Sequence, residues 1–430
     1  MFFKRLALRL YIKHYKNNQS VRSFFALLSL DILVKAGMVV LIPIYTQIMS
    51  RQDFGTFNYL FFYISTTSLI VNFGLYVPHT KLINQNDISL HNSINGTIFL
   101  LFFIPNLLIA SFILIFHLDE WIAKLLFYNS KIDFFKYRYI MQIAVFAAAF
   151  NFMLNSWLLA KKKIKLLQNL QVLRFLVHIP VILGLYFRIY EDAVNFRLWS
   201  FYGLDLLIST IIFFSLQNEI QWKFQKKLIK PIFVIAFPIF LNACLAIFLN
   251  FIDKLYLENS NYQSQMASYS LATQLASIIP IISLSFFNVM LPDFLKNTDL
   301  EQNFGHTQRT EKRLLALLGA TGICIWIASL FSLWLGVFPK SYSDITWILI
   351  ALVIARIMEA LAQLYVRFTI LLEKTWISLI YSVLASPIVM VLNNQLIPVY
   401  GMNACVGVIL LNSLMTYFFF KIVVSWQINQ

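Results

Sequence analysis

The stretch ITWILIALVIARIMEALAQLYVRFTILL (residues 345–372) decides the fold class. It exceeds the roughly 20 apolar residues that a helix needs to cross a bilayer, yet it carries Arg356, Glu359, Gln363 and Arg367. Their spacings of three, four and four place all four on one narrow helical face and leave the rest of the circumference apolar. At mid-membrane each Arg or Glu costs about 2.5–3.5 kcal/mol on insertion scales, whereas each Leu, Ile or Val returns about 0.3–0.6 kcal/mol. The charges offset most of the apolar gain unless the stripe faces protein or a water-filled cavity. Such a span belongs to a bundle with a polar interior.

The rest of the chain has the same character. Hydrophobic residues make up 60% and charged residues 12% of the 430, with a mean hydropathy of +0.73, which describes an all-α polytopic membrane protein. A β-barrel would show runs of about ten alternating residues rather than continuous apolar stretches of this length. Twelve candidate spans follow, at about 21–49, 57–77, 94–117, 138–159, 168–189, 198–217, 231–252, 266–292, 314–337, 345–371, 376–397 and 403–423. An even number puts both termini on one side. With the N-terminus inside, the inner segments hold twenty-one of the 34 Lys and Arg and the outer segments nine, so the positive-inside rule places both termini in the cytoplasm. Residues 1–20 interleave Lys4, Arg5, Arg9, Lys13 and Lys16 with Leu, Phe and Tyr, a basic amphipathic lead-in suited to the inner membrane surface. A short tail, 424–430, closes the chain.

A net charge of +15 would suggest nucleic acid in a soluble protein. Here short basic loops beside the spans are explained by topology and anionic lipid, and no nucleic-acid role is expected. Cys244, Cys324 and Cys405 sit singly in apolar runs, as packing residues, with no metal-ligand spacing. The largest inner loops, 218–230 and 293–313, are too short for a nucleotide-binding module, and no Ser/His/Asp or Cys/His grouping has supporting context. Catalytic and metal sites, an enzyme activity and a resident cofactor are therefore not expected.

The chain also repeats. A shift of 212 lays FGTF (54–57) over MASY (266–269) and LAKKK (159–163) over LLEKT (371–375). Two six-helix lobes follow, an N-lobe at 21–217 and a C-lobe at 231–423, joined by the basic linker 218–230. Even numbers of spans give the lobes the same orientation, with a central cavity at their interface near the midplane.

Other spans carry polar residues at helical spacing. Asp31 and Lys35 stand one turn apart, as an internal ion pair or as a cavity wall or coupling site. Gln171, Arg174 and His178 repeat the three-and-four spacing; Arg174 either snorkels to the inner headgroups or faces the cavity, and His178 reads as a hydrogen-bonded packing residue. Asp205 has no partner within one turn, so it pairs with a cation on another helix, Lys35 or Arg174, or is protonated. Arg356 and Glu359 can pair with each other, and Arg367 lies near the inner face. Asp253 and Lys254, at the outer end of the seventh span, are expected to fix that helix end.

Three stretches carry a resemblance. LIPIYTQIMSRQDFGTFNYLFFYIS (41–65) resembles the passage from first to second span in Wzx-type polysaccharide flippases, NFIDKLYLEN (250–259) the end of their seventh, and LIPVYGMNACVGVILLNSL (396–414) their turn between spans eleven and twelve. The matches recur in order along nearly the whole chain and point to the multidrug, oligosaccharidyl-lipid and polysaccharide exporter superfamily. The resemblance implies a flippase of the bacterial inner membrane, moving undecaprenyl-pyrophosphate-linked oligosaccharide repeat units, O-antigen or similar, from inner to outer leaflet by alternating access. On that view Lys35, Arg174, Arg356 and Arg367 attract the pyrophosphate, and Asp31, Asp205 and Glu359 hold these cations when empty or couple the cycle to H+ or Na+. Partners would be the lipid-linked oligosaccharide, membrane lipids, and a polysaccharide polymerase and chain-length regulator. The alternatives are a drug or metabolite antiporter of the same superfamily and a membrane glycan polymerase or ligase.

Overall fold

The computed structural model describes residues 41–85, 87–126, 132–161, 163–260, 262–284, 287, 300–372, 374 and 376–428. Among them the regular structure is helical, and eleven segments are long and apolar enough to cross a membrane. They correspond to expected spans two to twelve. The expected first span is described only from residue 41, where 41–48 is helical; the lead-in 1–20 and the pair Asp31 and Lys35 lie outside the described residues.

In chain order the helices are α1 (Arg51–Val71), α2 (Tyr76–Gln85), α3 (Ile88–Ile115), α4 (Leu118–Leu126), α5 (Phe134–Ala160), α6 (Ile164–Leu176), α7 (His178–Tyr186), α8 (Ala193–Ser215), α9 (Lys226–Asn250), α10 (Ile252–Asn259), α11 (Gln263–Ala276), α12 (Leu300–Trp334), α13 (Ile345–Leu371), α14 (Trp376–Tyr400) and α15 (Met402–Ile428). Side-chain oxygens start several of them. Ser50 caps α1 through the Asp53 amide, Asp133 caps α5 and Asp192 caps α8 through Val194 and Asn195, each satisfying amides that have no partner within the helix. Prolines break them. Pro180 cannot donate to Leu176, and the fifth span divides there into α6 and α7.

Packing places α1 and α11 at the centre. α1 lies against α5, α8, α9 and α11, and α11 continues the contact to α13. The main apolar core accordingly joins residues from both ends of the sequence, such as Tyr59, Leu60, Phe251, Met266, Tyr269 and Leu361. A second core, within α2, α3, α5 and α8, is aromatic: Phe99 meets Trp157 and Phe213 edge-on at 5.1 and 5.0 Å.

Two expected loops have a different form. Residues 293–313 were expected as a loop, but helix α12 begins at Leu300 inside it. Asn303, Thr307, Thr310 and Leu314 recur at spacings of four, three and four and are buried, so this polar stretch of about three turns is an amphipathic helix packed on its neighbours, which hydropathy alone cannot register. The linker 218–230 is a short 3-10 turn, Gln217–Glu219, then an extended strip laid on α3. Its Gln221 amide donates to the Asn92 carbonyl at 2.9 Å, Asn95 donates to the Glu219 carbonyl at 2.8 Å, and Ser93 bonds the Gln221 side chain. Lys163 pairs with Glu219 from the other side.

Close approach of the strip requires Gly96: a β-carbon there would lie 1.7 Å from the Gln221 carbonyl oxygen. Gly96→Ala is therefore expected to destabilise the protein by about 1–3 kcal/mol, the usual range for overpacking. Gly203→Ala, where a β-carbon meets nothing within 4 Å, should leave stability unchanged or raise it. Thermal unfolding in detergent checks both, and equal melting temperatures for the two variants would contradict the packing account.

Candidate functional site

The polar interior is assembled around α1, whose successive turns line several cavities, three of which hold an arginine. Phe54, Phe57 and Asn58 line the first, of about 410 Å³. Ser65 and Ser68 line a second of about 270 Å³. Phe62, Ser65 and Thr66 line a third of about 200 Å³. Ser65 faces both of the latter two.

In the second cavity the expected residues Arg174 and Asp205 come together. Arg174 Nε donates to Asp205 Oδ1 at 2.7 Å, Nη1 to Asn155 Oδ1 at 3.0 Å and Nη2 to Ser209 Oγ at 3.0 Å, while Asn151 donates to the other Asp205 oxygen. α6 thus supplies the cation, α8 the anion and α5 the two amides. Among the described residues Asp205 thus pairs with Arg174, and Arg174 lines this cavity.

The third cavity holds the first half of the stripe on α13, Arg356 and Glu359. Arg356 Nη1 donates to Glu359 Oε2 at 2.6 Å, and Ser413 of α15 donates to Glu359 Oε1 at 3.1 Å. Asp253 and Lys254, expected only to fix a helix end, line this same cavity. Their side chains are buried and bond each other at 3.0 Å, Tyr269 donates its hydroxyl to Asp253, and the Lys254 ammonium lies 4.7 Å from the Phe62 ring centroid. They turn inward because α10, which carries them, packs on α11, α14 and α15. Asn393, fully buried on α14, completes the wall; neither end of its amide has a bonding partner among the described residues.

Among the described residues each cluster holds one cation per carboxylate. Removing one partner of a buried pair typically costs about 3–5 kcal/mol, so these arginines can receive an outside anion only by releasing their own. Arg367 sits apart: its Nη1 donates to the Phe287 carbonyl at 3.2 Å and its guanidinium covers the Phe287 ring at 4.1 Å. His178 is hydrogen-bonded to Tyr45 at 2.8 Å, as expected of a packing residue.

Two charged groups were missed. Arg197 was counted in an outer segment, but the Asp192 cap starts α8 before it and the residue is buried at 8% exposure. Glu311 was placed in a loop; on α12 it accepts from Tyr365, Tyr417 and Lys421, the last at 3.0 Å, and ties α12, α13 and α15 together. An Asp-x-x-x-x-Arg start and an amphipathic spacing were the available signals. At the end expected to be external, Arg51 at the head of α1 pairs with Asp344 at 2.7 Å and donates to Ser268 of α11 at 2.6 Å, and Gln47 donates to the Val337 carbonyl at 2.9 Å. Deeper along the same contact Gln274 donates to buried Asn58.

Comparison with known proteins places this geometry. The family model described as polysaccharide biosynthesis protein matches residues 20–298. No curated protein matches the chain by sequence. Among solved structures, a multidrug resistance MATE family transporter of the MOP superfamily in its inward-facing conformation superposes with a TM-score of 0.69 at 13% identity, covering 93% of this chain and 98% of that one. The lipid II flippase MurJ in an inward closed conformation gives 0.71 at 13% identity, over 94% and 87%. An outward-facing MATE family transporter gives 0.52 at 13% identity, over 93% and 95%. At these identities the likeness establishes the fold: a multi-pass membrane protein with the helical architecture of MOP superfamily transporters.

The Arg174–Asp205 pair makes a direct prediction. Asp205→Asn strands a buried guanidinium and should destabilise the protein by about 3–5 kcal/mol, whereas adding Arg174→Gln in the same chain should recover part of that loss. Thermal unfolding of the purified single and double variants reads the cycle. A single variant as stable as the parent would show that the pair is not buried as described.

Proposed function

Since the chain belongs to the polysaccharide biosynthesis protein family, we propose that it is a flippase that moves an undecaprenyl-pyrophosphate-linked oligosaccharide from the inner to the outer leaflet of a bacterial inner membrane. The observation that carries this reading is the polar interior at the contact of the two sequence halves, closed at one end by Arg51, Ser268 and Asp344. A sugar pyrophosphate cannot cross hydrocarbon uncovered, because each unsatisfied polar group costs several kcal/mol. Hydroxyls and amides on α1, α5, α14 and α15 offer it replacement hydrogen bonds.

In this mechanism residues 21–217 and 231–423 act as two lobes whose rocking moves the opening from one side to the other. Both termini are cytoplasmic, and the Arg51 end faces outward. The better superposition on an inward-facing than on an outward-facing relative of the same fold supports assigning the described state to the loading half of the cycle. Undecaprenyl carriers, membrane lipids and the polymerase and chain-length machinery would be its partners. Asp205 and Glu359 are the groups on which H+ or Na+ coupling would act, each by exchanging its arginine for the ion. A drug antiporter on the same fold is the competing reading, which the mainly apolar 410 Å³ cavity favours.

Locking the closed end distinguishes these. In a strain that depends on this protein for surface polysaccharide, bridging Arg51→Cys/Asp344→Cys with a bis-methanethiosulfonate cross-linker should abolish surface polysaccharide, and reducing the bridge should restore it. If the protein's removal leaves polysaccharide normal and instead lowers efflux of a drug, the flippase reading is wrong.

A further inference from the structure

Arg197 is the charged group in the interior whose surroundings are least accounted for by the rest of the bundle. Its guanidinium lies between two aromatic faces, 3.6 Å from the ring centroid of Tyr45 and 3.6 Å from that of Phe57, with Phe54 at 5.9 Å. Its Nη1 hydrogen-bonds the Met49 sulfur at 3.3 Å, a weak acceptor, and the Tyr45 and Tyr202 hydroxyls are its other polar neighbours. Among the described residues no carboxylate lies within ion-pair distance of it. Arg174 and Arg356, by contrast, each hold a carboxylate of their own.

The arrangement is built. Tyr45 is fixed by its hydrogen bond to His178, which packs on Phe201 at 5.0 Å, so the ring covering one face of the guanidinium is itself locked. Stacking on both faces leaves the in-plane donors as the groups still able to bind, and those are the ones that match a phosphate bidentately. Arg197 lines the 410 Å³ cavity, whose other walls are largely apolar and whose size falls within the roughly 300–1,000 Å³ of small-molecule sites. A cation in an apolar cavity, stacked and without a counter-ion among the described residues, suits an anion attached to an apolar chain.

We propose that Arg197, and not the paired arginines, receives the pyrophosphate of the lipid-linked cargo, with the first units of its polyprenyl chain against the apolar wall. This rests on the flippase reading. An anion arriving here displaces no internal carboxylate, whereas at Arg174 or Arg356 it must displace Asp205 or Glu359. The seat also lies directly beneath the closed end: Phe54, beside Arg197, meets Tyr342 edge-on at 6.3 Å, and Tyr342 lies under the Arg51 guanidinium at 5.4 Å.

The test is equilibrium binding by microscale thermophoresis of the purified full chain in detergent, with undecaprenyl pyrophosphate, undecaprenol and phosphatidylglycerol as probes. The parent should prefer the pyrophosphate over the alcohol by about tenfold or more, the scale of one charge-assisted bidentate contact. Arg197→Gln should abolish that preference, Arg197→Lys should reduce it, and Arg309→Gln, on the exposed face of α12, should keep it. The Lys variant retains the charge and serves if the Gln variant melts well below the parent. Retention of the full preference by both Arg197 variants overturns the assignment while leaving the flippase reading standing. Absence of any preference in the parent overturns both. Phosphatidylglycerol binding as tightly as the pyrophosphate, with the same loss at Arg197→Gln, overturns the cargo assignment in favour of a bilayer-lipid site.

Discussion

A charge placed inside a hydrocarbon-thick bundle is retained only if something in the bundle answers it, and the interior of this protein is arranged by that constraint. Arg174 is answered by Asp205 on another helix, Arg356 by Glu359 one turn along its own, and Lys254 by its neighbour Asp253 with Tyr269 and Phe62 around it. Glu311 draws Tyr365, Tyr417 and Lys421 from two further helices. Each pair dictates which faces meet: α6 must turn to α8, and α15 to α12 and α13. The second and third cavities are the space left between these paired clusters, lined by hydroxyls and amides, while the first is largely apolar and holds Arg197.

α1 is the helix on which the clusters converge. Its small polar residues Ser65, Thr66 and Ser68 face the cavities, while its first turn, through Arg51, closes one end against α11 and the residue before α13. A single helix therefore touches the closure, the seat around Arg197 and both paired clusters. That continuity is what a transporter needs if events at the cargo are to reach the gate, because packed helices shift between discrete arrangements rather than deform smoothly.

Much of this was legible in the sequence, for a definite reason. A helix in hydrocarbon must be long and apolar, so eleven spans could be placed from composition, and a polar residue surviving in such a run stands out by its periodicity. Arg174, Asp205, Arg356 and Glu359 were found that way. Which of them meet was only partly legible, since Arg356 and Glu359 share a helix but Arg174 and Asp205 are 31 residues apart and pair through tertiary packing. Residues near helix ends were harder: Arg197 and Glu311 escaped, and Asp253 and Lys254 were assigned to a helix end rather than to a cavity, because all four sit where hydropathy falls. Arg367 lay between readings and remains at the edge of the interior, stacked on Phe287.

The central claim is that this polar interior carries a lipid-linked sugar pyrophosphate between leaflets. Reconstitution into liposomes loaded with an undecaprenyl-pyrophosphate-linked oligosaccharide, with a membrane-impermeant glycosidase added outside, tests it most directly. The account predicts that protein makes the inner-leaflet half of the sugar accessible, beyond the half cleaved in protein-free vesicles. Cleavage that stops at the same half with and without protein, in vesicles where the protein is folded, would contradict it.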